Sequence, residues 1–499
     1  MSTTDSVLRT KPVEDVLAQA ADPVEGSGHE GAVHRLARRL TAKDLMGFGI
    51  GIVIGTGIFT LTGVEAKQHA GPGVVISFGI AGLVSLLAAL CYAEMASAVP
   101  TAGSAYTYAY ATIGEIFAWI IGWDLILEFA LGAAVVARGW SGYLANLFDL
   151  PPTLFSEKAT VNIGAIAIVL VLGAVATLGI RESARVTNAL VVVKVAICAF
   201  VVIAGLFFID KANLTPFIPA SEPVEKGTSG LAQPLSQAVF GLEPTAFGFA
   251  GVLTAAAVVF FAYTGFEAVA NLGEETRNPS RDLPVGLFGT LALCTVLYMG
   301  VSFVITAMVD YRKIDEGAPI ASAFDAVGAG WAAALISIAA VAGLTSVILV
   351  DIVAMGRIGF SMGRDRLLPP AIAKVHPKWG TPYRITAITV VFVAVLAGFV
   401  PLGTLANLVS IGTLFAFIIV SIAVPILRRT RPDMERPFRV PFSPVIPALS
   451  ALACLYLMTN LSVETWLRFA VWMVIGVVLY LSYGRRNARL AQREKVPAA

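Results

Sequence analysis

The chain has 499 residues, 57% of them hydrophobic and only 14% charged, with 35 Lys and Arg against 33 Asp and Glu. A mean hydropathy of +0.80 excludes a soluble globular protein, and a formal net charge of +2 says nothing about nucleic acid, which is not an expected partner. Apolar stretches recur along most of the length, each long enough to span ~30 Å of hydrocarbon, so the expected class is an all-α polytopic membrane protein.

In chain order, residues 1–43 are polar, carry Pro, Gly and acids, and have no apolar core of the kind a cleavable leader needs. They are expected to form a disordered cytoplasmic tail ending in the basic patch Arg35, Arg38, Arg39 and Lys43. Twelve spans follow, at about 45–68, 73–98, 114–147, 160–179, 184–209, 247–271, 284–309, 331–358, 384–400, 403–427, 445–460 and 465–483. The first ten make a core over residues 44–428, two more helices occupy 429–484, and 485–499 form a second cytoplasmic tail. The third span is longer than a bilayer needs and is expected to be tilted, or bent near Gly139. Cys91, Cys198, Cys294 and Cys454 all fall inside spans without ligand spacing, which points to buried free thiols rather than disulfide or zinc.

Orientation follows from the bias of Lys and Arg toward cytoplasmic loops. With the N-terminus inside, the inner segments hold Arg181, Arg185, Arg277, Arg281, Arg364, Arg366, Lys374, Lys378 and the dense run from Arg428 to Arg439. They also hold Arg485, Arg486, Arg489 and Arg493, while the outer loops hold only Lys158, Lys211, Lys226, Arg312 and Lys313. Both termini are therefore expected in the cytoplasm of a cell whose plasma membrane the chain crosses.

The first span reads Gly47-Phe48-Gly49-Ile50-Gly51-Ile52-Val53-Ile54-Gly55-Thr56-Gly57-Ile58-Phe59. Gly in a helix interior costs ~1 kcal/mol relative to Ala, so two of them around a β-branched Thr predict an interruption. Inside a membrane, freed backbone groups are tolerated only where protein or a cavity receives them, which makes the interruption a binding-site candidate. Gly47, Gly51 and Gly55 also form a small-residue stripe suited to close helix packing. A dinucleotide-binding glycine loop is excluded, because no strand–turn–helix context surrounds it. The sixth span carries a matching feature, Phe261-Ala262-Tyr263-Thr264-Gly265-Phe266-Glu267. The two interrupted helices run in opposite directions, the pattern of an inverted repeat with a site at mid-depth.

Gly55-Thr56-Gly57-Ile58-Phe59, together with Gly265-Phe266-Glu267 and Glu274-Glu275-Thr276-Arg277-Asn278-Pro279, resembles the amino acid–polyamine–organocation superfamily. Gly122-Trp123-Asp124-Leu125-Ile126-Leu127-Glu128 and Ser361-Met362-Gly363-Arg364-Asp365-Arg366-Leu367-Leu368-Pro369 are similar to its cationic amino acid transporters. The likeness covers residues 40–430 and implies a leucine-transporter-like fold of five plus five inverted helices, here with two extra.

Amides freed at Thr56 and Gly57 open a helix N-terminus, which suits a carboxylate. Carbonyls freed at Val53, Ile54, Phe261, Ala262 and Thr264 suit an ammonium, and the resemblance implies the same α-amino-acid grip. Against this stands simple capping by the Thr56 and Thr264 hydroxyls. Glu128 and Glu267 are acids inside spans, where an Asp costs ~2.5 kcal/mol or more, so they are candidate readers of a cationic side chain. The family typically has Asp where this chain has Glu267, and Glu also occurs there in relatives that carry neutral substrates. The competing reading for Glu128 is a hydrogen bond to Asp124 or Arg138, the latter expected at the headgroups. The resemblance gives Leu344 a size-limiting role. It also implies that the Lys194 ammonium replaces a coupling cation near the Gly51 or Ile54 carbonyls and the Thr345 and Ser346 hydroxyls, with proton coupling as the consequence. Phe261, Tyr263 and Phe266 are gate candidates as much as core. Asp351 has no assigned role beyond pairing with Arg357 or lining an inner mouth.

The function expected is proton-coupled import of a cationic L-amino acid (arginine, lysine or ornithine), with a neutral amino acid permease, an exchanger and an amino-acid sensor as alternatives. No cofactor, metal or catalytic group is called for. The partners are the amino acid, the proton and the bilayer, and the oligomeric state stays open between monomer and homodimer.

Overall fold

The computed structural model describes residues 9–11, 40–98, 104–179, 184–223, 230–273, 275–377 and 379–493. Arg35, Arg38, Arg39, Arg181, Lys226, Glu274 and Lys378, all used above, lie outside them, as does most of the N-terminal tail.

Among the described residues the architecture is a helical bundle with one short antiparallel ladder, Glu222–Pro223 against Thr245–Ala246, pairing Glu222 with Ala246 and Pro223 with Thr245. The principal helices are α1 (Ala42–Val53), α2 (Val74–Ala98), α3 (Glu115–Phe148), α4 (Ile163–Thr177), α5 (Ala184–Gly205) and α6 (Gly248–Val259). They continue as α7 (Pro279–Met308), α8 (Gly330–Arg364), α9 (Tyr383–Phe399), α10 (Leu402–Thr430), α11 (Val445–Thr459) and α12 (Val463–Leu479). Among the described residues, eight helical stretches have the length and apolar composition to cross a membrane, and α4, α9 and α11 are shorter apolar helices where spans are expected. This is an all-α polytopic membrane protein.

Helix α3 is the central post, packed against α8, α10, α9 and α4. It is one continuous helix of 34 residues, ~51 Å at 1.5 Å per residue. The helix runs unbroken through Gly139. A Cβ there would meet the Thr56 side chain at 2.7 Å, so the glycine lets α3 lie against the interruption of the first span.

The glycine stripe of α1 packs differently from expectation. Gly47 faces open space and Gly55 makes only ordinary contact with Val347. The close approaches are at Gly49, against Thr290 of α7, and Gly51, against Val191 of α5. Ahead of α1, the Leu40 N–H donates to the Glu275 carbonyl and the Arg277 N–H to the Leu40 carbonyl, joining the starts of α1 and α7.

Three local arrangements go beyond the sequence reading. Arg138 is 3% exposed and packed inside the protein. Its guanidinium donates to Glu157 at 2.7 Å and to the Ala397 and Val400 carbonyls, which otherwise lack helical partners at the end of α9. The Trp472 and Tyr480 side chains pack against α3. Trp472 stacks on Trp123 at 4.3 Å between centroids, and the Tyr480 hydroxyl donates to Glu115. Residues 9–11, placed in the disordered tail, are docked: the Lys11 N–H donates to the Tyr110 carbonyl and the Glu115 N–H to the Arg9 carbonyl.

Part of the dense basic run is structural too. Arg428 forks onto the buried Glu94 of α2 at 2.8 and 2.6 Å, with the Arg436 Nε 3.8 Å from the same carboxylate.

Candidate functional site

The first interruption falls at Ile54–Gly55, where Ile54 turns extended (φ −74°, ψ 95°) before the chain rewinds from Thr56 into Gly57–Leu61. The second falls at Thr264–Gly265: α6 tightens into a 3₁₀ turn at Phe260–Tyr263, Thr264 is extended, and Gly265 takes φ +94°. Only glycine adopts that φ without strain, and a Cβ there would also meet Ile52 at 2.4 Å. The two interruptions touch. A Cβ on Gly57 would lie 2.4 Å from the Ala262 Cα, so glycine is what lets the two unwound backbones meet.

Tyr298 of α7 joins them chemically. Its buried hydroxyl lies 2.7 Å from the Val53 carbonyl and 3.1 Å from the Ala262 carbonyl, one from each interruption, and shares its single proton between them. The Phe261 carbonyl accepts from the Thr264 N–H and hydroxyl. Of the carbonyls offered above to an ammonium, Phe261 therefore already holds two donors, while Val53 and Ala262 share one and keep a second lone pair each. The competing idea of capping holds for Thr264 but not for Thr56, whose buried Oγ1 has no partner among the described residues.

Beside the interruptions lies a cleft of about 430 Å³ of atom-free space, part of it open to solvent. Of the residues named from sequence, Val53, Thr56, Gly57, Glu128, Phe261 and Thr264 line it; Ile54, Ala262, Glu267, Leu344, Lys194, Thr345 and Ser346 do not. Val347, one turn past Gly343, forms the α8 wall in place of Leu344, which is fully buried. Of the gate candidates only Phe261 reaches the cleft. The Tyr263 hydroxyl donates to the Phe78 carbonyl, and Phe266 packs edge-on against Tyr92 and Phe417.

Glu267 turns away from the cleft. Both carboxylate oxygens accept from the Gly265 N–H, at 3.1 and 3.0 Å. Gly265 precedes the 3₁₀ helix Phe266–Leu272, whose first N–H groups have no partner within the helix; Glu267 supplies one. Glu128 instead opens into the cleft with Thr413 beside it, and Asp124, Glu267 and Asp351 lie within electrostatic reach. Arg138, the other partner weighed for Glu128, is committed to Glu157.

Lys194 is 1% exposed, with its stem lying across Gly343 of α8 and its Nζ donating to the Gly51 carbonyl at 2.6 Å. The Thr345 hydroxyl donates to the Val341 carbonyl and accepts from the Trp140 indole, while Ser346 donates to Gly343.

One residue escaped the sequence reading, and a second was singled out there without a substrate role. Tyr298 carried a usable signal, since a phenol inside an apolar span needs a hydrogen-bond partner. Asp351 lines the cleft and forms no ion pair with Arg357. Its signal was the expense of an acid in the apolar run of α8.

A profile of the amino acid permease family matches residues 40–480, with both interruptions and the cleft inside the match. The chain belongs to that family. This permease is 42% identical to a methylthioribose transporter of Bacillus subtilis over 97% of its own length and 99% of the relative's. It is 41% identical to a branched-chain amino acid permease of the same organism over 98% and 99% of the two chains. To a mitochondrial cationic amino acid transporter of Arabidopsis thaliana it is 32% identical over 93% of each. These are all membrane transporters, and so is the permease; it is not an enzyme.

Proposed function

We propose that the permease imports an L-α-amino acid with a cationic side chain across the cell membrane, by proton symport and alternating access. In this reading twelve spans include a five-plus-five inverted repeat, and both termini face the cytoplasm. The observation that carries it is the cleft at the junction of the two interrupted helices, with Thr56 and Gly57 on one wall and Glu128 on another. The helix N-terminus there suits the substrate carboxylate, carbonyls of both interruptions suit its ammonium, and Glu128 suits a cationic tail. Lys194, bonded to the Gly51 carbonyl beside the first interruption, is the proton-coupling group of this scheme.

A second reading has its own support. The walls Ile52, Phe129, Val136, Val347 and Val409 are apolar, and the branched-chain permease is more similar in sequence than the cationic transporter. That reading keeps the backbone grip and changes the substrate to a branched aliphatic amino acid.

The deciding experiment is thermal stabilisation of the purified protein by the twenty L-amino acids and methylthioribose, since a ligand that binds only the folded state raises its melting temperature. Stabilisation by arginine, lysine or ornithine supports the first reading, and by leucine, isoleucine or valine the second. Methylthioribose alone would reject both.

A further inference from the structure

With Glu267 committed to the Gly265 N–H, the cleft still has two acidic walls, because Asp351 of α8 stands where a second carboxylate is wanted. Asp351 is 7% exposed, and among the described residues its carboxylate receives no hydrogen bond. Its Oδ2 lies over Gly132 of α3: a Cβ on that glycine would be 3.2 Å from the oxygen. Glu128 and Gly132 are four residues apart on α3 and share a face, and both line the cleft. Glu128 and Asp351 therefore approach the same space from two neighbouring helices, one helical turn apart.

A buried carboxylate without donors is costly. Here the protein supplies none directly, although the Lys194 ammonium and Glu267 lie within electrostatic reach. The cleft walls contain no Lys, Arg or His, and Lys194 already donates to Gly51. The donor that fits both acids is a cation brought in from outside, at the far end of a substrate whose α-groups sit on the interrupted helices. We propose that Asp351, not Glu267, is the second specificity-determining acid, and that it grips the cationic tail together with Glu128. This rests on the cationic reading of the substrate. It assigns Glu267 to holding the second interruption in shape.

The test compares lysine with norleucine, its near-isostere without the side-chain ammonium, by equilibrium binding to the purified full-length protein. Wild type is expected to prefer lysine. In Asp351→Asn the affinity for lysine relative to norleucine should fall at least about tenfold, as when one partner of a buried charge pair is truncated. Glu267→Gln should leave that ratio where it was. Asp351→Glu should keep the cation preference and move it toward shorter tails, ornithine over lysine, because the added methylene shortens the cleft. Should Asp351→Asn fail to fold, Gly132→Ala gives the same readout with Asp351 intact, since its methyl displaces the carboxylate from its seat and should lower the ratio. An unchanged ratio in the folded Asp351→Asn protein, or a fall confined to Glu267→Gln, overturns the assignment while the cationic substrate stands. Wild type that binds norleucine as tightly as lysine overturns the substrate reading, and the assignment with it.

Discussion

The Lys194 ammonium of α5 lies 2.6 Å from the Gly51 carbonyl, in the last turn of α1 before it unwinds at Ile54. A lysine this deep cannot extend its amine to either membrane surface, so its donors must be satisfied inside. A protonated Lys194 ties α5 to the end of α1; a neutral one donates more weakly. In the proposed scheme, loading and unloading one proton at Lys194 would act on the geometry of the interruption that builds the cleft.

Lys194→Ala should therefore abolish accumulation driven by a pH gradient in proteoliposomes. Counterflow exchange of labelled for unlabelled substrate separates coupling from binding, because it needs no proton gradient. Undiminished gradient-driven accumulation in the variant removes Lys194 from the coupling scheme.

Glu267 has a structural prediction of its own. Replacing it by Ala leaves the Gly265 N–H without its carboxylate acceptor in a buried place, a loss of ~2 kcal/mol. The melting temperature should drop and transport of every substrate should fall in parallel. Loss confined to cationic substrates would mean that the carboxylate reaches the cleft during transport.

What the sequence made legible, and what it hid, divides along physical lines. The two interruptions were visible at Gly55-Thr56-Gly57 and Thr264-Gly265 because helix propensity is local chemistry. That Glu128 and Glu267 were functional candidates was visible because an acid in hydrocarbon is expensive. Where each acid points was hidden, since it depends on which backbone donor lies nearest. Glu267 sits just past the positive-φ glycine and folds back onto its N–H, while Asp351, far away in sequence, takes the place in the cleft. The pitch of close packing was hidden as well. The regular spacing of Gly47, Gly51 and Gly55 suggested the contact face, yet Gly49 is the glycine that Thr290 presses upon, because the neighbour's position and not the periodicity selects the face.

That packing gives a paired prediction on glycines of the first span. Gly57→Ala places a methyl 2.4 Å from the Ala262 Cα, a backbone clash that must push the two interruptions apart. Transport should be lost whatever the substrate. Gly47→Ala meets nothing within 4 Å and gains up to ~1 kcal/mol of helix propensity, so its melting temperature should rise. Equal behaviour of the two variants in thermal unfolding and uptake would contradict the placement of both.

The last prediction concerns Lys11, whose ammonium is 3.1 Å from Asp365 at the end of α8, with the Tyr106 hydroxyl on the other Asp365 oxygen at 2.7 Å. Burial lowers the Lys11 pKa, and the Asp365 charge pulling the other way does not fully offset it. The docked pKa is thus below the free one, so docking sheds protons and is favoured as pH rises through the docked value toward ordinary lysine near 10.4. The segment is also held by its backbone bonds to Tyr110 and Glu115. Lys11→Met should consequently be neutral or slightly stabilising and should erase the alkaline strengthening. Asp365→Asn keeps the shape but removes the carboxylate charge beside the buried ammonium, at a cost of ~3 kcal/mol. Thermal unfolding of both variants at pH 7 and pH 9.5 reads the difference. A Lys11→Met variant as damaged as Asp365→Asn would show that the charge pair itself holds the segment in place.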